Sequence, residues 1–371
     1  MNKKNNKRFL QILKNGGLFL FLMLLTFYMI CKDNSPAELA AAMKAADIRF
    51  LFLGVCAMAV FLFCEGLNLA RCLRLFGYSV SQTAGLKYAL TGFFFSSVTP
   101  SASGGQPMQL YFMSRDGIQV SHGTLALLFE LLSFQFTTIG LGILGYFYQH
   151  RLITETMGNF RILLILGLSV NTAVMIILIF AVFSKKMIAK LAGLVVKLVR
   201  MFSKAKAELV REKLTHQLQE YRESAAFLKQ NSNIFLKTVL TSLVQILAMY
   251  SVPFLIYRSF ALSGYGLLEV VALQAVLYVA VSALPLPGAL GVSESGFLVL
   301  FKTLFPTALL PGAMILSRGI SFYLFVLVSG LASSAFIFKK KEVRHGLHNS
   351  YCRGRQGYCG APEALSGKQR I

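Results

Sequence analysis

Apolar positions in this chain run together over stretches too long for the core of a soluble domain. Residues 162–183 (ILLILGLSVNTAVMIILIFAVF) contain no Asp, Glu, Lys, Arg or His, and residues 319–338 (GISFYLFVLVSGLASSAFIF) contain none either. About 20 apolar residues, rising 1.5 Å each as a helix, cross the hydrocarbon core of a bilayer. The pattern predicts full spans near residues 16–31, 50–70, 122–147, 162–183, 237–257 and 312–338. Two further apolar regions are broken: residues 84–113 are helix-like until TPSASGGQP interrupts them, and residues 265–305 until LPLPGALG does so. The expected fold class is all-α, a polytopic transmembrane helical bundle.

Charge placement orients these segments. The chain is 56% hydrophobic and only 14% charged, against about 25% charged in a soluble chain. Its net charge of +22 would suggest nucleic-acid binding in a soluble protein, but here the cations flank apolar spans and mark the cytoplasmic side. Lys3, Lys4, Lys7, Arg8 and Lys14 put the N-terminus inside, and Arg71 and Arg74 do the same for the end of the second span. Lys185 to Lys213 carries nine Lys and Arg against two Glu, and Lys339, Lys340, Lys341 and Arg344 come after the last span. With those points inside, 84–113 must enter and return on the cytoplasmic face, and 265–305 on the outer face. The expectation is therefore six full spans plus two oppositely oriented re-entrant hairpins, an arrangement resembling an inverted repeat. The competing reading is that Pro and Gly only kink ordinary spans.

The domain expectation is an integral membrane region over 1–340 and a basic, disordered tail over 341–371. Within 185–232, Lys190, Lys197, Lys204 and Arg211 recur at seven-residue intervals, apart from an apolar stripe of Leu191, Val195, Leu198 and Phe202. This reads either as an amphipathic helix on the anionic cytoplasmic leaflet or as a solvated connector. The basic N-terminus followed by an apolar run reads as an uncleaved first span, although AELAAAM at 37–43 resembles a signal cleavage region.

Candidate chemistry gathers at the two breaks. Pro100 and Pro107 bracket Ser101, Ser103, Gly104, Gly105 and Gln106, small residues that let backbone approach a ligand. A helix restarting there points free N–H groups into the gap, a setting for an anion such as phosphate. The second break offers Pro285, Pro287, Gly288 and Gly291, then Ser293, Glu294 and Ser295. A carboxylate at membrane depth is a functional candidate by default. Glu65, Glu130, Glu269, Lys302 and Arg318 are further intramembrane ionisable residues; Glu130 has Gln135 about one turn on. Glu130 and Arg318 either pair structurally or bind a headgroup, Glu taking an amine and Arg a phosphate. Glu269 and Lys302, near hairpin ends, are expected to snorkel. The chain contains no GxxxxGK[ST], GxSxG or HExxH, its five histidines are scattered, and its six cysteines have no metal-site spacing. Hence no catalytic residue, metal or cofactor is expected.

PSASGGQPMQ, which ends on Gln109, and LPLPGALGVSESGF far downstream resemble the paired signature of the lysylphosphatidylglycerol synthase transmembrane family over roughly residues 10 to 340. That family includes the membrane flippase domain of bacterial multiple peptide resistance factors. Relatives are often richer in glycine at the second stretch, as PTPGGxGxxE, and Glu294 matches the acidic position. The resemblance implies a bacterial plasma-membrane protein, with both termini cytoplasmic, that binds and flips phosphatidylglycerol or its lysyl ester and contributes to resistance against cationic peptides. The site set it implies is Pro100, Ser101, Ser103, Gly104, Gly105, Gln106, Pro107, Gln109, Glu130, Pro285, Pro287, Gly288, Gly291, Glu294 and Arg318. The alternative is lysyl transfer from lysyl-tRNA to phosphatidylglycerol, which two-domain members perform in a C-terminal soluble domain with no counterpart in these residues. A small-solute or ion transporter is the third reading. Expected partners are membrane phospholipid and anionic lipid at the cytoplasmic leaflet, with nucleic acid only under the transferase reading and homo-oligomerisation left open.

Overall fold

In the computed structural model the described residues are 44–156, 160–183, 193, 232–282, 284 and 286–338. The first expected span, most of the 185–232 segment, the tail and Pro285 lie outside them. The described residues are helical with no strand. The order is α1 (Ile48–Leu75), α2 (Gln82–Ser97), α3 (Gly105–Arg115), α4 (Val120–Tyr148), α5 (His150–Thr156) and α6 (Phe160–Phe183). After the undescribed connection come α7 (Ser232–Tyr250), α8 (Val252–Ser259), α9 (Leu267–Ser282), α10 (Val292–Leu300), α11 (Leu310–Arg318) and α12 (Leu324–Phe338).

Among the described residues, five helical stretches are long and apolar enough to cross a membrane: 48–75, 120–148, 161–182, 233–259 and 310–336. They coincide with the five expected spans in this part of the chain. Their outward faces are apolar, as at Phe52, Ile162, Ile177, Phe180 and Leu331, all exposed on the protein itself. A helix apolar all round belongs in lipid or in a large core.

The two broken regions fold back on themselves. In the first, α2 and α3 are packed arms: Lys87 on α2 pairs with Asp116 just past α3, and the Tyr88 hydroxyl donates to the same carboxylate at 2.6 Å. The second is formed by α9 and α10 in contact. Their mouths open on opposite faces. The first opens where α1 ends and α4 begins, shown by the stacking of Phe76 on His122 at 4.9 Å. The second opens where α8 ends, shown by Tyr257 against Tyr265 at 6.2 Å and by the Asp47 amide donating to the Ser259 carbonyl, 2.9 Å, at the start of α1.

Proline sets both breaks. It lacks an N–H and drives the preceding residue out of helical conformation. Thr99 (φ −115°, ψ 144°) and Leu286 (φ −106°, ψ 141°) are accordingly extended, each leading into a one-turn 3-10 helix, Pro100–Ala102 and Pro287–Ala289. Each turn ends on an alanine in the left-handed region, Ala102 at φ 54° and Ala289 at φ 51°. Helix resumes at Gly105 and at Val292. Pro100 and Pro287, Ala102 and Ala289, and the two restarts are all separated by the same number of residues. The two breaks thus share their opening and their spacing, and they differ at the residue before the restart, Gly104 at φ −87° and Gly291 at φ 81°.

Close packing relies on small residues, as expected where lipid supplies no hydrophobic drive between helices. A Cβ added to Gly66 on α1 would stand 2.7 Å from the Leu86 amide of α2, and one on Gly167 of α6 would stand 2.3 Å from the Val279 carbonyl of α9. Beside the latter crossing, buried Asn171 ties three helices: its Nδ2 donates to the Gly167 carbonyl (2.8 Å) and the Ser282 hydroxyl (3.0 Å), while its Oδ1 accepts from Gln135 Nε2 of α4 at 2.6 Å. Gln135 thus serves α6, not Glu130.

Thermal unfolding midpoints of the protein in detergent or nanodiscs check these two contacts. Gly66→Leu forces α1 from α2 and should destabilise by about 1–3 kcal/mol. Asn171→Leu removes one of the two acceptors of Gln135 Nε2, the other being the main-chain carbonyl of residue 171 at 3.1 Å, and should cost about 1–3 kcal/mol, whereas Asn171→Leu combined with Gln135→Leu should recover part of that loss.

Candidate functional site

The tips of the two hairpins meet, their 3-10 turns against each other. Leu290 and Phe322 share an apolar cluster with Phe93, Phe94 and Val98, so the tip of the second hairpin is packed on the end of α2. The ring of Phe322 lies where a Cβ on Gly288 would stand only 2.1 Å from its Cζ, and Gly288 is left-handed at φ 58°. Glycine at 288 therefore meets both a steric and a conformational demand.

An ion pair holds this junction. Arg318, the last residue of α11, donates through Nε to Glu294 Oε1 at 2.8 Å and through Nη2 to the Gly288 carbonyl at 2.9 Å. Glu294 Oε2 accepts from the Gly291 amide at 2.7 Å, and the Tyr323 hydroxyl reaches Glu294 Oε1 at 3.3 Å. Phe322 and Tyr323 cover the guanidinium, with ring centroids 4.5 and 6.0 Å away. Glu294 is 3% exposed and Arg318 16%. Immediately after Arg318 the last span loosens into a π-helical turn, Gly319–Tyr323, a distortion often found at functional sites. That turn brings Phe322 and Tyr323 onto the pair.

These contacts change two expectations. The start of α10 is already served by its own carboxylate, since Glu294 accepts the Gly291 amide. An anion approaching this helix start therefore meets Glu294 beside it. Nor does Glu130 pair with Arg318. Glu130 belongs to a second polar group, reached through α1: Gln109 of α3, 4% exposed, donates to Glu65 Oε1 at 3.0 Å, and Glu130 lies within electrostatic range of Glu65.

Of the remaining expected residues, Gly288 and Gly291 stand in the ion-pair junction, and Pro287 opens its turn. In the first break, Pro100 likewise opens its turn and its carbonyl accepts from the Ser103 hydroxyl at 2.8 Å. The Gly104 amide is capped by Thr99 Oγ1 at 2.9 Å, while Gly105 packs against Ser96 and the Gly92 carbonyl. Gln106 is partly buried and Pro107 exposed. Ser101 lies in the 3-10 turn. Glu269, far from this junction, accepts from the Gly266 amide at 2.6 Å and begins α9.

Sequence reasoning placed Glu65 among the intramembrane acids without joining it to the site, and it missed Phe322 and Tyr323 altogether. A charged residue amid apolar positions signals Glu65. Aromatic residues in an apolar span give no comparable signal, because their role here depends on the π-helical turn.

Comparison with known proteins agrees with this architecture. The chain is 26% identical over 279 residues to a UPF0104 membrane protein of Archaeoglobus fulgidus, covering 73% of this chain and 81% of the relative. It is 25% identical over 299 residues to UPF0104 membrane protein PH1989 of Pyrococcus horikoshii, covering 78% of this chain and 88% of the relative. Residues 16–329, which contain both breaks and the whole ion-pair junction, match the family described as Lysylphosphatidylglycerol synthase TM region, and the chain belongs to that family of membrane proteins.

Proposed function

We propose that this protein binds phospholipid at the junction of the two hairpins and moves it between leaflets, the lipid being lysyl-phosphatidylglycerol or a close relative. The observation that carries the reading is the Glu294–Arg318 pair, with each partner also bonded to backbone of the second break. Ionised side chains in hydrocarbon are retained where they pair with one another or meet a polar ligand. A headgroup phosphate matches the guanidinium of Arg318 and an ammonium matches the carboxylate of Glu294. A zwitterionic or cationic headgroup can thus replace the internal pair by two equivalent pairs, leaving no charge alone at membrane depth. Because Arg318 and Glu294 also hold Gly288 and Gly291, such an exchange bears directly on the contact between hairpins. That supplies a physical link from headgroup binding to opening toward one leaflet or the other.

On this reading the cation-rich end of α1, with Arg71 and Arg74, faces the cytoplasm of a bacterial cell, and export of lysyl-lipid lowers the negative surface charge that attracts cationic peptides. The site set is the two breaks with Glu294 and Arg318.

Vesicles containing the purified protein and lysyl-phosphatidylglycerol test the proposal through an amine-reactive reagent confined to the outside. The lipid amine should become accessible faster than in protein-free vesicles. Glu294→Gln or Arg318→Gln should slow the initial rate by about tenfold or more, the equivalent of one charged hydrogen bond. Equal rates with and without protein reject translocation. A rise in total lysyl-lipid on addition of lysyl-tRNA would instead assign the transferase activity. Arg318→Lys should restore little of the rate, since an ammonium cannot span Glu294 and the Gly288 carbonyl as the planar guanidinium does.

A further inference from the structure

Among the described residues, one pair of carboxyls in the bundle stands without a cation of its own. Helices α1 and α4 are antiparallel, as Phe76 stacks on His122 at one end and Phe61 meets Phe134 at 6.4 Å further along. Glu65 lies four residues after Phe61 and Glu130 four before Phe134, so one helical turn from that ring contact the two acids stand opposite each other. The electrostatic influence of Glu130 on Glu65 agrees with this register.

Helix α7 flanks α1 on another side, also antiparallel. Arg71 donates to the Lys237 carbonyl (2.9 Å) and to Thr241 (3.0 Å), and Asn68 donates to the Ser242 hydroxyl at 3.1 Å. One step further along both helices brings Glu65 level with Gln245. Gln245 is 1% exposed, and its Oε1 has no hydrogen-bond partner. That orphan is an acceptor. A carboxylate facing it would add a second acceptor, whereas a carboxyl carrying its proton supplies the donor that the amide oxygen lacks.

The surrounding groups leave the same need. Gln109 Nε2 donates to Glu65 from α3 at 3.0 Å. Tyr278 of α9 lies within electrostatic range of Glu65, and Cys72 of α1 within that of Glu130. Tyr250 of α7 packs against Tyr278 at 5.5 Å. Arg71 is engaged by Asn68, Thr241 and the Lys237 carbonyl, and Arg318 by Glu294 and Gly288. Two carboxylates set opposite each other, with no cation beside them among the described residues, repel unless one of them carries a proton.

We infer that Glu65 and Glu130 form a proton-binding site within the membrane, one proton held between the two carboxyls, and that this proton is exchanged as lipid is translocated. The step moves a single proton from water on one face to the carboxyl pair and from there to water on the other face, with no other bond made or broken. The coupling clause rests on the translocation reading; the proton site does not.

Dicyclohexylcarbodiimide, which adds to protonated carboxyls in apolar surroundings, tests the site on the full chain in lipid vesicles, with modified peptides mapped by mass spectrometry. Glu65 or Glu130 should be modified, less so as pH rises, while ion-paired Glu294 is spared. No modification at either residue at any pH overturns the site. In translocating vesicles an imposed pH gradient should change the initial rate by about fivefold or more, and Glu65→Gln should abolish that dependence, with Glu130→Gln as the second variant if the first does not fold. Translocation indifferent to the gradient overturns the coupling. If no lipid moves under any condition, the translocation reading fails, and the modification pattern alone decides the proton site.

Discussion

Backbone that leaves a helix at membrane depth must find hydrogen-bond partners inside the protein, because lipid offers none. The described residues leave helix twice in that way, and their organisation depends on how those amides and carbonyls are met. At the first break the Thr99 hydroxyl accepts the Gly104 amide, so local side chains suffice. At the second the partners come from a distant span: Arg318 takes the Gly288 carbonyl, and Glu294 takes the Gly291 amide while pairing with Arg318. One ion pair thereby fastens α11 to the second hairpin. That hairpin's tip rests on the first.

The two acidic centres differ in their surroundings, and so in their chemistry. Glu294 has a guanidinium, a backbone amide and a phenol around it, so its charge is met on every side. Glu65 has one amide donor and a second carboxyl opposite. The first arrangement suits exchange with an ionic headgroup of matching charges, and the second suits a proton. Both lie among helices whose close crossings, at Gly66 and Gly167, leave little room for independent adjustment. A change at one centre is consequently felt by packed helices and not absorbed locally.

Local backbone at the breaks is dictated by residue type. Pro100 and Pro287 force extended residues before them, and both turns end on a left-handed alanine, although Gly288 within the second turn is left-handed as well. Matching residues recur at the two breaks, Pro100 with Pro287, Ala102 with Ala289 and Gly104 with Gly291, while the backbone differs at the glycines, right-handed at Gly104 (φ −87°) and left-handed at Gly291 (φ 81°). Beyond the turns the halves diverge: α3 carries Gln109, which turns to Glu65, and α10 carries Glu294, which turns back to its own N-terminus.

Hydropathy by itself determined the all-helical membrane class, the five described spans and the positions of both breaks, because transfer into lipid is nearly additive along a segment and proline acts on its immediate neighbours. Tertiary structure alone decided which ionisable groups meet. Arg318 joins Glu294 and not Glu130 because a π-helical turn and the Gly288 carbonyl fix its reach. Glu65 meets Glu130 because an antiparallel crossing brings together residues that lie far apart in the chain. Composition and spacing carry no record of that register, since it is set by the close approach of glycines and by ring contacts between helices.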